Sequence, residues 1–372
     1  MMLASAGQRA VATGSALGRR LKSTAAAASA GAVDPASLDW DELGFSLVPT
    51  KSVTLFKYKD GKWSSPEQCP PTLEVSYWAN MMHYGQSLFE GLKAFRLQNG
   101  DISIFNPQAN CARMNVGARR LMMPEIPEEI FLEGVKQCVI ENQDYVPPAS
   151  AKGAALYLRP LYFGAGAQVG LGPANEYIFG VGCTPVGAYY KGGALKPIDA
   201  VVPEQFDRAA PLGVGNCKAA GNYAADVLPS SKARDEGYQV ALYADAATHS
   251  YVEEFSTSNF VAISGDKSTY ITPDSPSILE SITNKMLSKL AEDRGLKVER
   301  RPVKFDELDS FSEVFAVGTA VVTSPISSIT YKGKVFKYDS CEVAKMLFDD
   351  LTDVQRGSKE DKHGWHYTAV KA

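Results

Sequence analysis

Residues 215–224 read GNCKAAGNYA, a stretch in which one lysine, Lys218, stands among glycines, alanines and other short side chains. A solvent-facing turn normally carries several polar residues, so the question is what a lone amine gains from so little bulk. A lysine attacks a carbonyl only when neutral, and lowering its pKa from about 10.4 takes desolvation or a nearby cation. Small apolar neighbours supply the first, and they leave room for a flat molecule to reach the nitrogen. The pattern points to a carbonyl cofactor such as pyridoxal phosphate. Composition alone favours an exposed lysine, because most lysines are exposed, so further parts of such a site must be found.

A pyridoxal site needs an acid beside the pyridinium nitrogen, a donor to the phenolic oxygen, and phosphate ligands at a helix start or a glycine turn. The chain offers a candidate for each. YVEEFSTSNF (251–260) puts Glu253 and Glu254 in a strand-like, otherwise uncharged stretch. Tyr223 follows Lys218 closely. SILESIT (277–283) opens with hydroxyls and free amides, and VGTA (317–320) offers a second turn lined by amides.

The gross numbers exclude other classes. The 372 residues are 45% hydrophobic and 22% charged, enough for two domains with real cores. Thirty-eight Lys and Arg against 42 Asp and Glu give a net charge of -4, with no long run of one sign, so no nucleic-acid or membrane partner is expected. Cys69, Cys111, Cys138, Cys183, Cys217 and Cys341 form no C-x-x-C pair and read as reduced thiols. His83, His249, His363 and His366 lack ligand spacing, so no metal site is expected. GAGAQVG (164–170) is one residue too long for G-x-G-x-x-G, and SGDKST (264–269) lacks the glycine before Lys267 that a Walker A loop needs.

Residues 1–33 carry Arg9, Arg19, Arg20 and Lys22, much Ala and Ser, and no acid before Asp34. That composition reads as an organelle transit peptide, mitochondrial in preference to plastid. No apolar run reaches the roughly 18 residues needed to span a bilayer.

VTLFKYKDGKW (53–63) and LKAFRLQNGDISIF (92–105) read as hairpins about Asp60-Gly61 and Asn99-Gly100. Helices are predicted over 108–123 and 128–143, the latter ended by Pro147-Pro148, followed by strands in ALYLRPLYF, EYIFGVGCTPVGAYY and IDAVV. The second half adds a helix within 222–236 that Pro229 should kink or restart, strands in QVALYADA and NFVAI, and a turn at Gly265-Asp266. A further helix is expected from Ser277, with Ser277 and Glu280 as a capping box and Gly295 as a stop, before EVFAVGTAVVTSPI, a strand broken by a turn. The class is α+β. The expected division is a domain over 34–190, a connection over 191–212, and a larger domain over 213–372 carrying Lys218.

YGQSLFEGLKAFR (84–96), LYLRP (156–160), PVGAYY (185–190), NCKAAGNYA (216–224), EEFSTSNF (253–260), ILESIT (278–283) and VFAVGTA (314–320) resemble, in order and in approximate separation, the branched-chain amino-acid aminotransferases. The resemblance runs from about residue 38 to the C-terminus. It implies the type IV fold of pyridoxal-phosphate enzymes, with a smaller N-terminal and a larger C-terminal α/β domain and a homodimer. It also implies reversible transfer of the amino group of Leu, Ile or Val to 2-oxoglutarate, giving branched 2-oxo acids and L-glutamate.

By resemblance, Lys218 is the lysine that links to pyridoxal 5′-phosphate and then moves the substrate proton. Glu254 holds the ring nitrogen protonated, and Tyr223 supports the phenolic oxygen. Arg113, Ile282, Thr283 and Thr319 match the phosphate ligands. Tyr84, Phe89, Tyr157, Leu171 and Tyr189 match the walls of an aliphatic pocket, Ala320 with Thr319 the turn that meets the α-carboxylate, and Arg159 the arginine for a distal carboxylate. Taken singly, those aromatics read equally well as core, and Arg113 and Arg159 as exposed ion pairs.

Ser281 and Asn284 depart from the glycine and arginine usual in the family, which places the phosphate end in question, and Ala219 and Ala220 stand where glycines are common. A D-amino-acid aminotransferase or an aminodeoxychorismate lyase shares the lysine and the acid and remains the alternative, against which LYLRP and PVGAYY argue. A nicotinamide-dependent oxidoreductase and a silent binding homologue are the other readings weighed.

Overall fold

The computed structural model describes residues 31–187, 189 and 195–372. Residues 1–30 of the expected transit segment, and Tyr190 of the expected pocket motif, lie outside them. Two sheets organise the chain, each formed around turns that the sequence marks.

Asp60 and Gly61 take left-handed φ of 50° and 77°, the pair a type I′ turn requires, and join strands Val53–Lys59 and Lys62–Trp63. Gly100 (φ 90°) turns Leu92–Arg96 into Ile102–Phe105. These strands belong to an antiparallel nine-stranded sheet built round the long pair Ala155–Gly164 and Glu176–Val186. Helices Pro107–Arg120 and Glu128–Glu141 lay Cys111, Met114, Phe131, Val135 and Val139 against it. The second of these helices ends at Asn142, ahead of the prolines expected to stop it, because the Asn142 amide closes on the Cys138 carbonyl and a short 3-10 turn follows.

The second, ten-stranded sheet is mixed. An additional pairing of Tyr251–Phe255 with Ser258–Ser264 closes its central strands into a ring filled by Leu242, Phe255, Phe260, Val314 and Ile329. Helices Ile282–Asp293 and Glu342–Gln355 cover its outer face.

Several expectations change. The helix predicted from Ser277 begins at Ile282, with Ser281 as its cap, because residues 274–281 are spent as a loop over two buried carboxylates and the Ser277 hydroxyl donates to Glu253 instead. Ala220–Asp235 is one helix that runs through the buried Pro229. Ile198–Val201 forms the strand expected of IDAVV, and it joins the second sheet from within the expected connection. His366–Val370 returns from the C-terminus to pair with Ile102–Phe105 of the first sheet, a long-range pairing to which no local signal points.

Candidate active site

The segment carrying Lys218 is sewn to the first sheet before its helix begins. Ala219 bridges Leu88, the Phe89 amide donates to the Lys218 carbonyl at 3.1 Å, and Cys217 and Ala219 pack into the first sheet's core. Larger side chains at 217 and 219 would force this seam apart, which is why the stretch is short of bulk. Gly215 is tight for the same reason: a Cβ there would lie 2.6 Å from the Ala209 Cβ and inside contact distance of the Ser277 carbonyl oxygen.

The Lys218 amine lies 2.8 Å from Tyr223 Oη and 4.7 Å from the centre of the Phe89 ring. Burial first, and the Arg113 guanidinium second, bring its pKa down from 10.5 to about 7. Burial also pushes the Tyr223 phenol upward, so it stays a hydroxyl at neutral pH.

Glu254 is placed by an irregularity in its strand. Val252 pairs with Ala244 and Phe255 with Leu242, so Tyr243 alone faces two residues, Glu253 and Glu254. That β-bulge lets Val252 and Phe255 both enter the ring's core, while both carboxylates are buried; strict alternation would have sent one of each pair to the opposite face. Glu254 forms an ion pair with Arg208 Nη2 at 2.7 Å and accepts from the Leu279 amide at 2.8 Å and Asn259 Nδ2 at 2.8 Å. Burial raises its pKa from 4.5 to about 7 against the pull of Arg208. Glu253 takes the hydroxyls of Ser275 and Ser277, whereas Glu254 is among the charges that bear on the Lys218 amine.

Arg113 grips the fully buried Glu90 through Nε (2.8 Å) and Nη2 (2.7 Å), and donates from Nη1 to the Glu280 carbonyl at 3.0 Å. It thereby sits at the start of the helix Ile282–Asp293. Ser281 Oγ accepts the Asn284 amide at 3.2 Å, while the amides of Ile282 and Thr283 meet no acceptor among the described residues; nor do those of Thr319 and Ala320. Ile282, Thr283 and Thr319 line one small cavity with Gly91, Lys93 and Asn110. Free amides at a helix start beside an arginine suit a phosphate, and Lys218, Tyr223 and Glu254 suit a pyridine aldehyde. The residues present fit pyridoxal 5′-phosphate. Ser281 supplies the cap without consuming those amides, and Asn284 turns away into the interior.

On the substrate side, the Arg159 guanidinium carbon stacks 4.9 Å over Phe89 and 5.2 Å over Tyr157, and Nη2 donates to Tyr157 Oη at 3.2 Å. Phe89 meets Tyr223 edge-on at 4.7 Å, and Phe45 joins Tyr157 to Tyr189 with ring centres 5.2 and 5.0 Å away. The carbonyl of Ala320 accepts from Lys93 Nζ at 3.1 Å, and burial lowers the pKa of that lysine from 10.5 to about 8. Tyr84 and Leu171 are not brought to this cluster. Both are exposed, and Tyr84 donates to the Val169 carbonyl.

Glu90, Arg208, Asn259, Lys93 and Phe45 escape sequence reasoning as site residues. Glu90 and Lys93 lie inside a recognised motif, Glu90 just after the strand Ser87–Phe89 and Lys93 within Leu92–Arg96, where two charges in an otherwise apolar run are a usable signal. Arg208 and Phe45 come from distant loops with no local mark.

Residues 87–329 match the family described as amino-transferase class IV. The chain is 42% identical to a branched-chain-amino-acid aminotransferase of Helicobacter pylori, over 88% of this chain and 97% of the relative. It is likewise 42% identical to the chloroplastic branched-chain-amino-acid aminotransferase 5 of Arabidopsis thaliana, over 89% of this chain and 80% of that one. Its fold matches the branched-chain amino acid aminotransferase of Escherichia coli (TM-score 0.70, 25% identity, 86% of this chain and 100% of that one). It also matches the pyridoxal-phosphate form of the Thermobaculum terrenum enzyme (TM-score 0.70, 22% identity, 87% and 99%). A desolvated lysine, a bulge-mounted carboxylate and a free helix start, met on a chain with these relatives, place it in the class IV aminotransferases, the pyridoxal-phosphate-dependent family that holds the branched-chain amino-acid aminotransferases.

Proposed function

We propose that the protein is a branched-chain L-amino-acid aminotransferase, passing the amino group of Leu, Ile or Val reversibly to 2-oxoglutarate, with Lys218, Tyr223 and Glu254 at the reacting centre. The observation that carries this reading is the buried Lys218 amine, 2.8 Å from Tyr223 Oη, its pKa brought down to about 7 by burial and by Arg113. When bound, pyridoxal phosphate supplies an aldehyde for the amino group and a ring that takes up the electrons of the substrate Cα–H bond. Lys218 is placed to receive and return that proton, since an amine with a pKa near neutrality serves equally as acid and base. Arg113 and the free amides of Ile282, Thr283 and Thr319 would hold the phosphate, and Glu254 would keep the ring nitrogen protonated. The Phe89, Tyr157 and Tyr189 aromatics suit an aliphatic side chain. Arg159, held flat between two of them, suits the distal carboxylate of glutamate.

The test is the half-reaction rate over a panel of L and D amino donors, with borohydride trapping of the lysine–cofactor adduct. Leu, Ile and Val should be the best donors, no D-amino acid should react, and Lys218→Ala should trap nothing. A trapped adduct in that variant, or preference for a D donor, overturns the reading.

A homodimer is part of the proposal. Tyr77, Trp78, Met82, Tyr84, Val169 and Leu171 are exposed large apolar residues, and a second copy seated on them would give Tyr84 and Leu171 a pocket to wall. Light scattering should report twice the chain mass, and a monomer refutes it. Residues 1–33 are proposed as an organelle-targeting segment; a fluorescent fusion that stays diffuse would contradict this.

A further inference from the structure

Asn284 stands third in its helix, where a polar side chain would ordinarily face solvent, yet it is 2% exposed. Every polar atom it carries is used. Its Oδ1 accepts from the buried Tyr270 hydroxyl at 2.7 Å, and its Nδ2 donates to Asn259 Oδ1 at 3.2 Å and to Thr272 Oγ1 at 2.8 Å. Thr272 Oγ1 in turn donates to the Phe260 carbonyl, so it can only accept from Asn284. Asn259 repeats the pattern one step on, donating from Nδ2 to Glu254 Oε2 at 2.8 Å and to the Leu279 carbonyl at 2.9 Å, while Oδ1 accepts from Asn284 and from the Ser281 amide.

The bonds therefore all run one way, from Tyr270 through Asn284 and Asn259 to Glu254. Chains of hydrogen bonds with one direction polarise one another inside a protein. The direction also resolves an ambiguity, because a primary amide is nearly symmetric in shape and opposite in polarity at its two ends. Reversed, Asn259 would set its oxygen against the Glu254 carboxylate and the Leu279 carbonyl. An N–H from Asn284, together with the longer one from the Ser281 amide, opposes that reversal.

We propose that Asn284 is a positioning residue which, by fixing the direction of Asn259, holds the Glu254 carboxylate in one orientation toward the ring nitrogen of the cofactor. The proposal rests on the assignment of Glu254 to that nitrogen. It gives the departure at position 284 a role away from the phosphate.

Asn284→Asp tests it with almost no change of shape. The new carboxylate can still accept from Tyr270, but when ionised it cannot donate to Asn259, whose Oδ1 then faces a carboxylate oxygen and keeps only the Ser281 amide as donor. Pyridoxal phosphate titrated into the apoprotein should bind about tenfold more weakly or worse, as expected for a lost hydrogen bond to a charged group. The pH midpoint of the bound cofactor's visible band should rise, because a ring with less positive charge opposes protonation of the lysine linkage less. Thr272→Val removes the other acceptor of Asn284, off the path to Glu254, and should leave binding within about twofold. Wild-type binding and midpoint in a folded Asn284→Asp protein overturn the proposal, as does an equal loss in Thr272→Val. Should Asn284→Asp fail to fold, Asn284→Ala against Thr272→Val gives the same decision. Glu254→Gln is measured beside them: a wild-type spectrum there defeats the Glu254 assignment itself, whereas a change in Glu254→Gln with none in the Asn284 variants defeats the relay alone.

Discussion

Within the site, Lys218 is the titratable side chain whose behaviour departs furthest from that of a free one. The seam between the sheets desolvates its amine, Arg113 adds a positive charge, and together they bring the pKa from 10.5 to about 7. An ordinary lysine at pH 7 is neutral in roughly one molecule in three thousand, and a pKa near 7 raises the neutral fraction by about 10³-fold. Trace acetylation of the apoprotein with acetic anhydride, read by mass spectrometry of the peptide spanning 215–224, measures that neutral fraction directly. The labelling rate should rise with a midpoint near pH 7 and then stay flat. Arg113→Met should move the midpoint upward without restoring 10.5, because burial is the larger cause. The linkage has a definite sign: between pH 7 and 10.5 the unfolded chain binds a proton here that the folded one does not, so this group makes the apoprotein more stable as pH rises through that window. Lys218→Met should lack that part of the pH dependence in urea melts. A labelling midpoint above pH 10 would refute the reasoning, since it would mean an amine in contact with water.

Two other expectations follow from the geometry. Arg159→Ala should slow the 2-oxoglutarate half-reaction by about tenfold or more, the usual cost of a lost charge-assisted hydrogen bond, and the leucine half-reaction by much less; single-turnover rates showing equal losses would count against a distal-carboxylate role. Gly215→Ala pushes a methyl against Ala209 and the Ser277 carbonyl, so it should cost about 1–3 kcal/mol in denaturant melts and weaken cofactor binding by disturbing Arg208, whose Nη2 bonds both Gly215 and Glu254. An unchanged midpoint would show that the loop has room to spare.

Local structure is legible in the sequence where residue chemistry and backbone geometry coincide. The Asp60-Gly61 and Asn99-Gly100 turns, the helix around Arg113 and the lone amine at 218 follow from short-range rules. The helix start near residue 280 did not, because Ser277 and Glu280 have the spacing of a capping box while the buried carboxylate of Glu253 competes for the serine hydroxyl and wins. Glu90 is invisible as the partner of Arg113, since nothing short-range says that a glutamate between two apolar strands will face a particular arginine.

The order of residues alone determined the ingredients: a poorly solvated lysine, a tyrosine close behind it, paired glutamates in an apolar strand and a helix start with amides to spare. Chain packing decided their meaning. The seam between two sheets strips water from Lys218, a one-residue bulge lets both carboxylates be buried, and Arg208 and Asn259 select Glu254 from its neighbour. Burial, register and electrostatic neighbours are properties of segments far apart in the chain, so they come into existence only when those segments meet.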